Sequence, residues 1–389
     1  MTDSLKNVLE KINACIRSGA PHEGVEIAQA ALRQWPAEVE LTAKLGLALE
    51  AMGRRKDAIK TLEEANKLIS ESNTPVMAMA QIKFHLVLCH VSEQNFERAA
   101  ELSEEVIQLG VRGASIFSTA CKARFKLGEV DAAVRWGAEA LKMLDDEAKS
   151  MPSAFSAVPR ERVKEFNPHN PEKNIISYSL FGQDSYYHDC AITNARIAMA
   201  SFPDFSVRVY CGPDVPPAVK SELQQHRVDV RNVERTTAKW EGLFWRFWAF
   251  DDENVDVVLV RDVDSPLTPR ERIAVEDWLY NSTAPFHVIR DHPLHTAPIM
   301  AGLWGGFTGL LPPLKPLGVE LLNQISTRFA DQAFLTRHIW PLIREASLTH
   351  DSYYDIANTR RFPPWGRVIR PVHVGWSWPT TVKSGRSIS

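Results

Sequence analysis

The chain has 389 residues, and its 45 Lys+Arg against 48 Asp+Glu give a formal net charge of −3. With 44% hydrophobic and 24% charged residues, bulk disorder and fibrous or collagen-like classes are excluded. So near-neutral a balance makes no global electrostatic case for a nucleic-acid partner or an anionic membrane.

At roughly 150 residues per domain, the length predicts two or three domains. No apolar run reaches the ~18 residues that span a bilayer, so no transmembrane segment is expected. The start, Met1-Thr2-Asp3-Ser4, is too polar for a signal peptide. Five cysteines (15, 89, 121, 190 and 211) are scattered singly. That spacing argues for a reducing compartment and against a disulfide framework, so a cytoplasmic location is expected.

Three prolines (21, 36 and 75) precede residue 150 and 21 follow it; two tryptophans precede it and nine follow. This shift predicts a helical first half, a Pro-rich linker over 146–172, and a second half of strands, helices and irregular loops over 173–389. The first half repeats. Gly19 and Gly53 stand 34 residues apart, each in a helix–turn–helix pattern, and Asn95 and Gly128 stand 33 apart. The longer middle step implies an insertion of about eight residues near Glu71-Ser72-Asn73-Thr74-Pro75. In the second unit the pattern Leu45, Gly46, Leu49, Gly53, Ala58, Leu62 and Ala65 resembles the tetratricopeptide repeat. Small residues at 46 and 58 let paired helices approach, and large ones at 49 and 62 fill the seam. A single hairpin cannot bury its apolar face, so about three or more must stack. Roughly four units are expected over 1–145, offering a concave surface to a partner or a helical support for the second half.

The second half alternates strands and helices. Strands are expected at Ile175–Leu180, Val207–Cys211, Val228–Val230, Val255–Val260 and Phe286–Ile289. Helices are expected at Asp189–Phe202, Pro217–Gln225 and, rich in aromatics, Trp240–Phe250. This alternation predicts an α/β domain with a mostly parallel sheet and ligands at the carboxyl ends of its strands. The strand at Val255–Val260 ends in a continuous apolar run, as buried central strands do. It leads into Arg261-Asp262-Val263-Asp264-Ser265-Pro266. Two carboxylates at i and i+2 leave a strand end on the same side and repel each other. A divalent cation with oxygen ligands would resolve the repulsion and bridge to substrate phosphates. A solvated turn, which Asp, Ser and Pro also favour, is the plain alternative.

Taken together, 173–380 resembles a metal-dependent glycosyltransferase of the GT-A fold, the class with an Asp-x-Asp motif at the end of a central strand. The resemblance implies that Asp262 and Asp264 hold Mn2+ (or Mg2+) on the diphosphate of a nucleotide-sugar, UDP-sugar favoured. It implies that His373, in Pro371-Val372-His373-Val374-Gly375, completes the metal set. Met300-Ala301-Gly302-Leu303-Trp304-Gly305-Gly306 resembles the small-residue turn that lines the donor sugar, with Gly302 and Trp304 at the ligand. Arg246 resembles the basic residue that meets the donor, and Tyr178 would stack on the base. Asp331, in Asp331-Gln332, and Asp291, in Arg290-Asp291-His292, are the candidate bases that would activate an acceptor hydroxyl. The acceptor is expected to be a glycan, protein or peptide, held in part by the repeats.

Two other readings stay open. A phosphatase of the haloacid dehalogenase type also ends a strand with Asp-x-Asp, its first aspartate a nucleophile, but usually has Thr or Val where Pro266 stands here. The other is a repeat-containing adaptor without catalysis.

Overall fold

The computed structural model describes residues 3–71, 75–150, 158–234, 240–322, 327–363 and 372–378. The chain divides into two compact units, Met1–Met143 and Leu144–Ser389. Among the described residues no helix is long and apolar enough to cross a membrane.

The first unit is a row of α-hairpins: α1 (Asp3–Arg17) with α2 (Pro21–Leu32), α3 (Val39–Ala51) with α4 (Arg55–Glu71), α5 (Val76–Ser92) with α6 (Phe96–Gln108), and α7 (Ala114–Lys126) with α8 (Val130–Ser150), whose last residues belong to the second unit. Successive hairpins pack through α2 on α3, α4 on α5 and α6 on α7. Sequence spacing explains the close pairing: a Cβ on Gly46 would stand 2.6 Å from Cγ of Leu62. Leu49, Ala58, Leu62 and Ala65 are all buried in this core. Turns at Gly19, Gly53 and Gly128 use left-handed backbone, with φ of +80°, +76° and +82°.

The third hairpin departs from expectation. Its left-handed residue is Gln94, at φ +60°. Asn95 instead caps α6, its Oδ1 accepting from the Arg98 amide at 3.3 Å. The interval from Gln94 to Gly128 is therefore 34 residues, the same as from Gly19 to Gly53. Residues 72–74 of the expected insertion lie outside the described residues.

The second unit is built on an eight-stranded mixed sheet: β1 (Asn174–Leu180), β2 (Ser206–Cys211), β3 (Asp229–Asn232), β4 (Val257–Arg261), β5 (Phe286–Arg290), β6 (Leu303–Phe307), β7 (Ser347–Asp351) and β8 (Thr359–Arg360), in the order β3-β2-β1-β4-β6-β5-β7-β8. Every pairing is parallel except those of β6, which runs antiparallel between β4 and β5. Among the described residues its α-helices are α9 (Ser185–Ser201), α10 (Pro217–Gln225), α11 (Pro269–Asn281), α12 (Leu314–Leu322), α13 (Ala330–Phe334) and α14 (Trp340–Ile343). Both faces of the sheet are covered by apolar clusters, so β1, β4, β5 and β6 are buried along their whole length.

Three expectations shift. The aromatic segment is not one α-helix but two 3-10 helices, Glu241–Leu243 and Trp245–Asp251. Its backbone is drawn onto β1, where Ser177 Oγ donates to the Arg246 carbonyl at 2.7 Å and the Arg246 amide donates to Ser179 Oγ at 2.9 Å. Only Met300–Gly302 forms a turn; Leu303–Phe307 is the strand β6. The glycines fit a crowded strand, because a Cβ on Gly305 would lie 2.5 Å from the Val258 carbonyl and one on Gly306 2.3 Å from the Phe286 ring. Of the expected linker, α8 occupies the first residues and 151–157 lie outside the described residues. From Val158 the chain is an ordered crossover, with Arg162 on the Leu279 carbonyl at 2.8 Å and Lys164 on Asp256 at 2.9 Å.

Candidate active site

In the strand order, β2 and β3 follow β1 on one side while β4 lies on the other. The boundary between the paired strands β1 and β4 is thus a topological switch point, the place beside which open α/β sheets bind ligands at the carboxyl ends of their strands. Asp262, Val263 and Asp264 follow β4 there. Their turn is closed by the Ser265 amide on the Asp262 carbonyl at 3.1 Å. Asn194 of α9, fully buried, clamps it from behind: Nδ2 donates to the Val263 and Ser265 carbonyls, each at 2.9 Å, and Oδ1 accepts from the Leu267 amide at 3.1 Å. Arg261 turns away from the acids, its guanidinium on Glu271 and on the Trp304 carbonyl.

Arg246 is buried and forks between two carboxylates. One nitrogen binds Asp262 and the other binds Asp331 at 2.7 Å. Asp331, in the first turn of α13, also accepts from the Gln332 amide at 2.8 Å. The Gln332 side chain accepts from the Ala301 amide at 3.1 Å and donates to the Ile299 carbonyl, tying α13 to the turn before β6. Gly302 in that turn lies directly against the Asp262 carboxylate. Three carboxylates against one guanidinium leave this cluster two negative charges in excess. Burial first, and then the charge of Asp262, raises the proton affinity of Asp264. Burial likewise raises that of Asp331, against the pull of Arg246. The Asp262 side chain is 41% exposed, so the cluster opens to solvent on its side.

The C-terminal segment 372–378 reaches this cluster. The Trp378 amide donates to the Asp264 carbonyl at 3.1 Å, and Tyr186 Oη of α9 donates to the Trp378 carbonyl at 2.6 Å. Ser377 bonds the Asp264 side chain and lowers its proton affinity in part. Further back, the Val374 amide donates to Asp291 at 3.0 Å. His373 sits against His292 and His295, with ring centroids 4.2 and 5.2 Å away. Among the described residues no three His, Cys, Asp or Glu side chains converge as a metal-binding group. Asp262 faces Arg246 on one side, and His373 sits among histidines.

The structure also relocates two expected ligand contacts. Tyr178 is 1% exposed, in the apolar cluster with Ile176, Leu180 and Ala191. Trp304 is fully buried and stacks on Phe250 at 4.7 Å. Neither ring has an open face to offer a base or a sugar, because β1 and β6 are covered on both sides. An open aromatic near the acids is Tyr187, 40% exposed in the first turn of α9, whose hydroxyl holds its proton more tightly through partial burial and then the charges of Asp264 and Asp184. Its signal in the sequence is only its place a few residues after β1.

No protein-family model matches the chain, and no curated protein does. Solved structures align in part. A crystal structure of MamA is 22% identical, covering 37% of this chain and 80% of its own, at a TM-score of 0.34. A Thermobaculum terrenum O-GlcNAc transferase mutant is 18% identical, covering 67% of this chain and 47% of its own, at a TM-score of 0.38. Likenesses at this level leave the function to be argued from the site.

Proposed function

We propose that the second unit is a metal-dependent glycosyltransferase of the GT-A type. It would move a sugar from a nucleotide-sugar, UDP-sugar favoured, to a hydroxyl of a glycan, protein or peptide acceptor. The observation that carries this reading is the pair Asp262 and Asp264 beside the switch point, in a cluster with two negative charges in excess. Exposed carboxylate oxygens on one side suit a hard divalent cation such as Mn2+ or Mg2+, which takes the rest of its shell from water and phosphate. Asp262 and Asp264 would hold it, with His373 as the nitrogen donor from the C-terminal segment. When bound, such a cation offsets the charge that grows on a leaving diphosphate.

The chain's own residues supply the remainder. Arg246 keeps Asp262 and Asp331 in fixed relation and adds positive charge beside the donor site. Asp331 is the better-suited base, since its raised proton affinity moves it towards working pH and each of its oxygens holds one donor. A phosphatase nucleophile at Asp262 fits less well, because Pro266 stands where that class usually has Thr or Val. The repeat unit would present the acceptor.

Thermal melting with UDP, GDP or CDP, each with Mn2+, tests the reading. One nucleotide should raise the melting temperature, and the rise should vanish with chelator and in Asp264→Ala. No rise with any of the three overturns it.

A further inference from the structure

Asp291 directly follows β5, on the far side of β6 from the acidic pair. An ionised carboxylate has four acceptor positions, and all four of its positions are filled. Arg270 of α11 binds both oxygens, Nε to Oδ2 and Nη2 to Oδ1, at 2.8 Å each. Ser352, just past β7, donates to Oδ1, and the Val374 amide donates to Oδ2 at 3.0 Å. Asp291 is 7% exposed. A carboxylate so engaged has no lone pair left to take a proton from an acceptor hydroxyl. It joins parts of the chain 21, 61 and 83 residues away.

One of those parts carries His373. Backbone partners settle the tautomers of the three neighbouring imidazoles. His373 Nδ1 faces the Val374 carbonyl at 2.9 Å, which only accepts, so Nδ1 bears the proton and Nε2 the lone pair. His295 Nδ1 accepts from the Asp291 amide at 3.0 Å, and His292 Nδ1 from the Leu294 amide at 3.1 Å, so these two bear the proton on Nε2. Three imidazoles thus present one lone pair between them, and they are not a three-histidine metal centre. His292 and His295 flank the ring of His373.

We infer that Asp291 is a positioning residue rather than a base: it latches segment 372–378 so that the lone pair of His373 is held in place. The role assigned to that lone pair rests on the glycosyltransferase reading above; the latch itself does not. Segment 372–378 is fixed at its other end by Asp264 and Tyr186, so loss of the Asp291 contact leaves the end that bears the imidazole held, among the described residues, only by the burial of Val374 against Ile289 and Leu303 and by ring contacts.

Two variants of the full chain test this. Asp291→Asn weakens the hub, and Val374→Pro deletes the one amide while leaving Arg270, Asp291 and Ser352 to each other. Hydrogen exchange of the peptide covering 372–378 should speed up at least tenfold in both. Mn2+ affinity in the presence of UDP, read by electron paramagnetic resonance, should fall by about 10- to 100-fold, as when a support behind a metal ligand is removed. It should match His373→Ala, and raising Mn2+ should restore kcat, which it does not do for a misfolded site. Wild-type exchange in both variants overturns the latch. So does a loss of kcat in Asp291→Asn that Mn2+ cannot rescue while Val374→Pro stays active, which would return Asp291 to the role of base. If the wild-type chain binds no Mn2+ with any nucleoside diphosphate, the metal reading fails, and the exchange measurement still decides the latch. Should Asp291→Asn not fold, Val374→Pro alone carries the test.

Discussion

A methyl group added at Gly302 would stand 2.2 Å from Oδ2 of Asp262, and 2.7 Å from the Asp262 amide nitrogen. The bare α-carbon is what admits the carboxylate to the angle between β4 and the turn before β6. Sequence reasoning gave that glycine to a ligand, whereas its nearest neighbour is one of the acids. Gly302→Ala must therefore push Asp262 away, since the backbone of Asp262 is in the way as well as its side chain. A misplacement of about 1 Å costs on the order of 10²-fold in rate, and overpacking costs about 1–3 kcal/mol. Steady-state kinetics on the purified variant, beside its melting temperature, check this. Wild-type kcat/KM in Gly302→Ala would mean that the seat of Asp262 is of no consequence to turnover.

Asp264→Asn should separate stability from activity. Burial and the charge of Asp262 hold the Asp264 carboxyl above its ordinary value, so the metal-free folded chain binds a proton there more readily than the unfolded chain. The sign follows: ionised Asp264 costs stability once pH exceeds the raised value, and the cost disappears below the ordinary carboxylate range. Removing the charge should stabilise the metal-free protein near neutral pH by roughly 0.5–2 kcal/mol. The same substitution should cut metal-dependent turnover by about 10³-fold. Denaturant melts at pH 7 and pH 4 check the first part, and a lower melting temperature for the variant at pH 7 would reject it.

How much was legible depended on how local the cause was. The 34-residue interval, the apolar run of β4 and the acids after it are local patterns, and they placed the hairpins, the central strand and the cluster. The fates of Tyr178 and Trp304 were not local. Alternation along a strand tells which residues share a face, but not whether that face meets a helix or a ligand, and here both faces are covered. Gly305 and Gly306 read as a turn because glycine permits turns, yet their smallness answers to Val258 and Phe286, far away in the chain. Asn194, Arg270 and Ser352 carry no signature, for each matters only through contacts more than 20 residues distant. Asp291 has the right residue type for a base, and nothing in the sequence announces the four donors that surround its carboxylate.

Gln94 offers a test of the repeat geometry. It sits at φ +60° on an exposed turn where three sister hairpins have glycine. Left-handed backbone costs a non-glycine residue roughly 1–2 kcal/mol, while glycine gives back part of this through the larger freedom of its unfolded chain. The amide that donates to the Val91 carbonyl at 3.2 Å is kept by glycine. Gln94→Gly should therefore stabilise the first unit by about 0.5–1 kcal/mol. Chemical denaturation of the full chain followed at a first-unit probe would show it, and a destabilised variant would mean that the Gln94 side chain has a role that its exposed position does not suggest.

Acid should weaken the second unit through a buried pair of histidines. His350 of β7 is fully buried, with Nδ1 2.8 Å from His287 Nε2 and Nε2 3.0 Å from Asp277. A carboxylate only accepts, so neutral His350 donates from Nε2 to Asp277 and accepts at Nδ1 from His287. Burial is the largest influence and lowers the pKa of His350 from 6.5 to about 4, in spite of Asp277. Burial drives His287 down as well. On acidification the unfolded chain takes up its proton first, near 6.5, so the stabilisation is complete above that value and is lost as pH falls through about 4. The drop from 6.5 to about 4 amounts to on the order of 3 kcal/mol. Urea unfolding at steps between pH 7.5 and 4 should show this decline, and His350→Gln should flatten it while costing some stability at neutral pH. A variant whose stability falls with pH as steeply as the wild type's would place the acid sensitivity elsewhere.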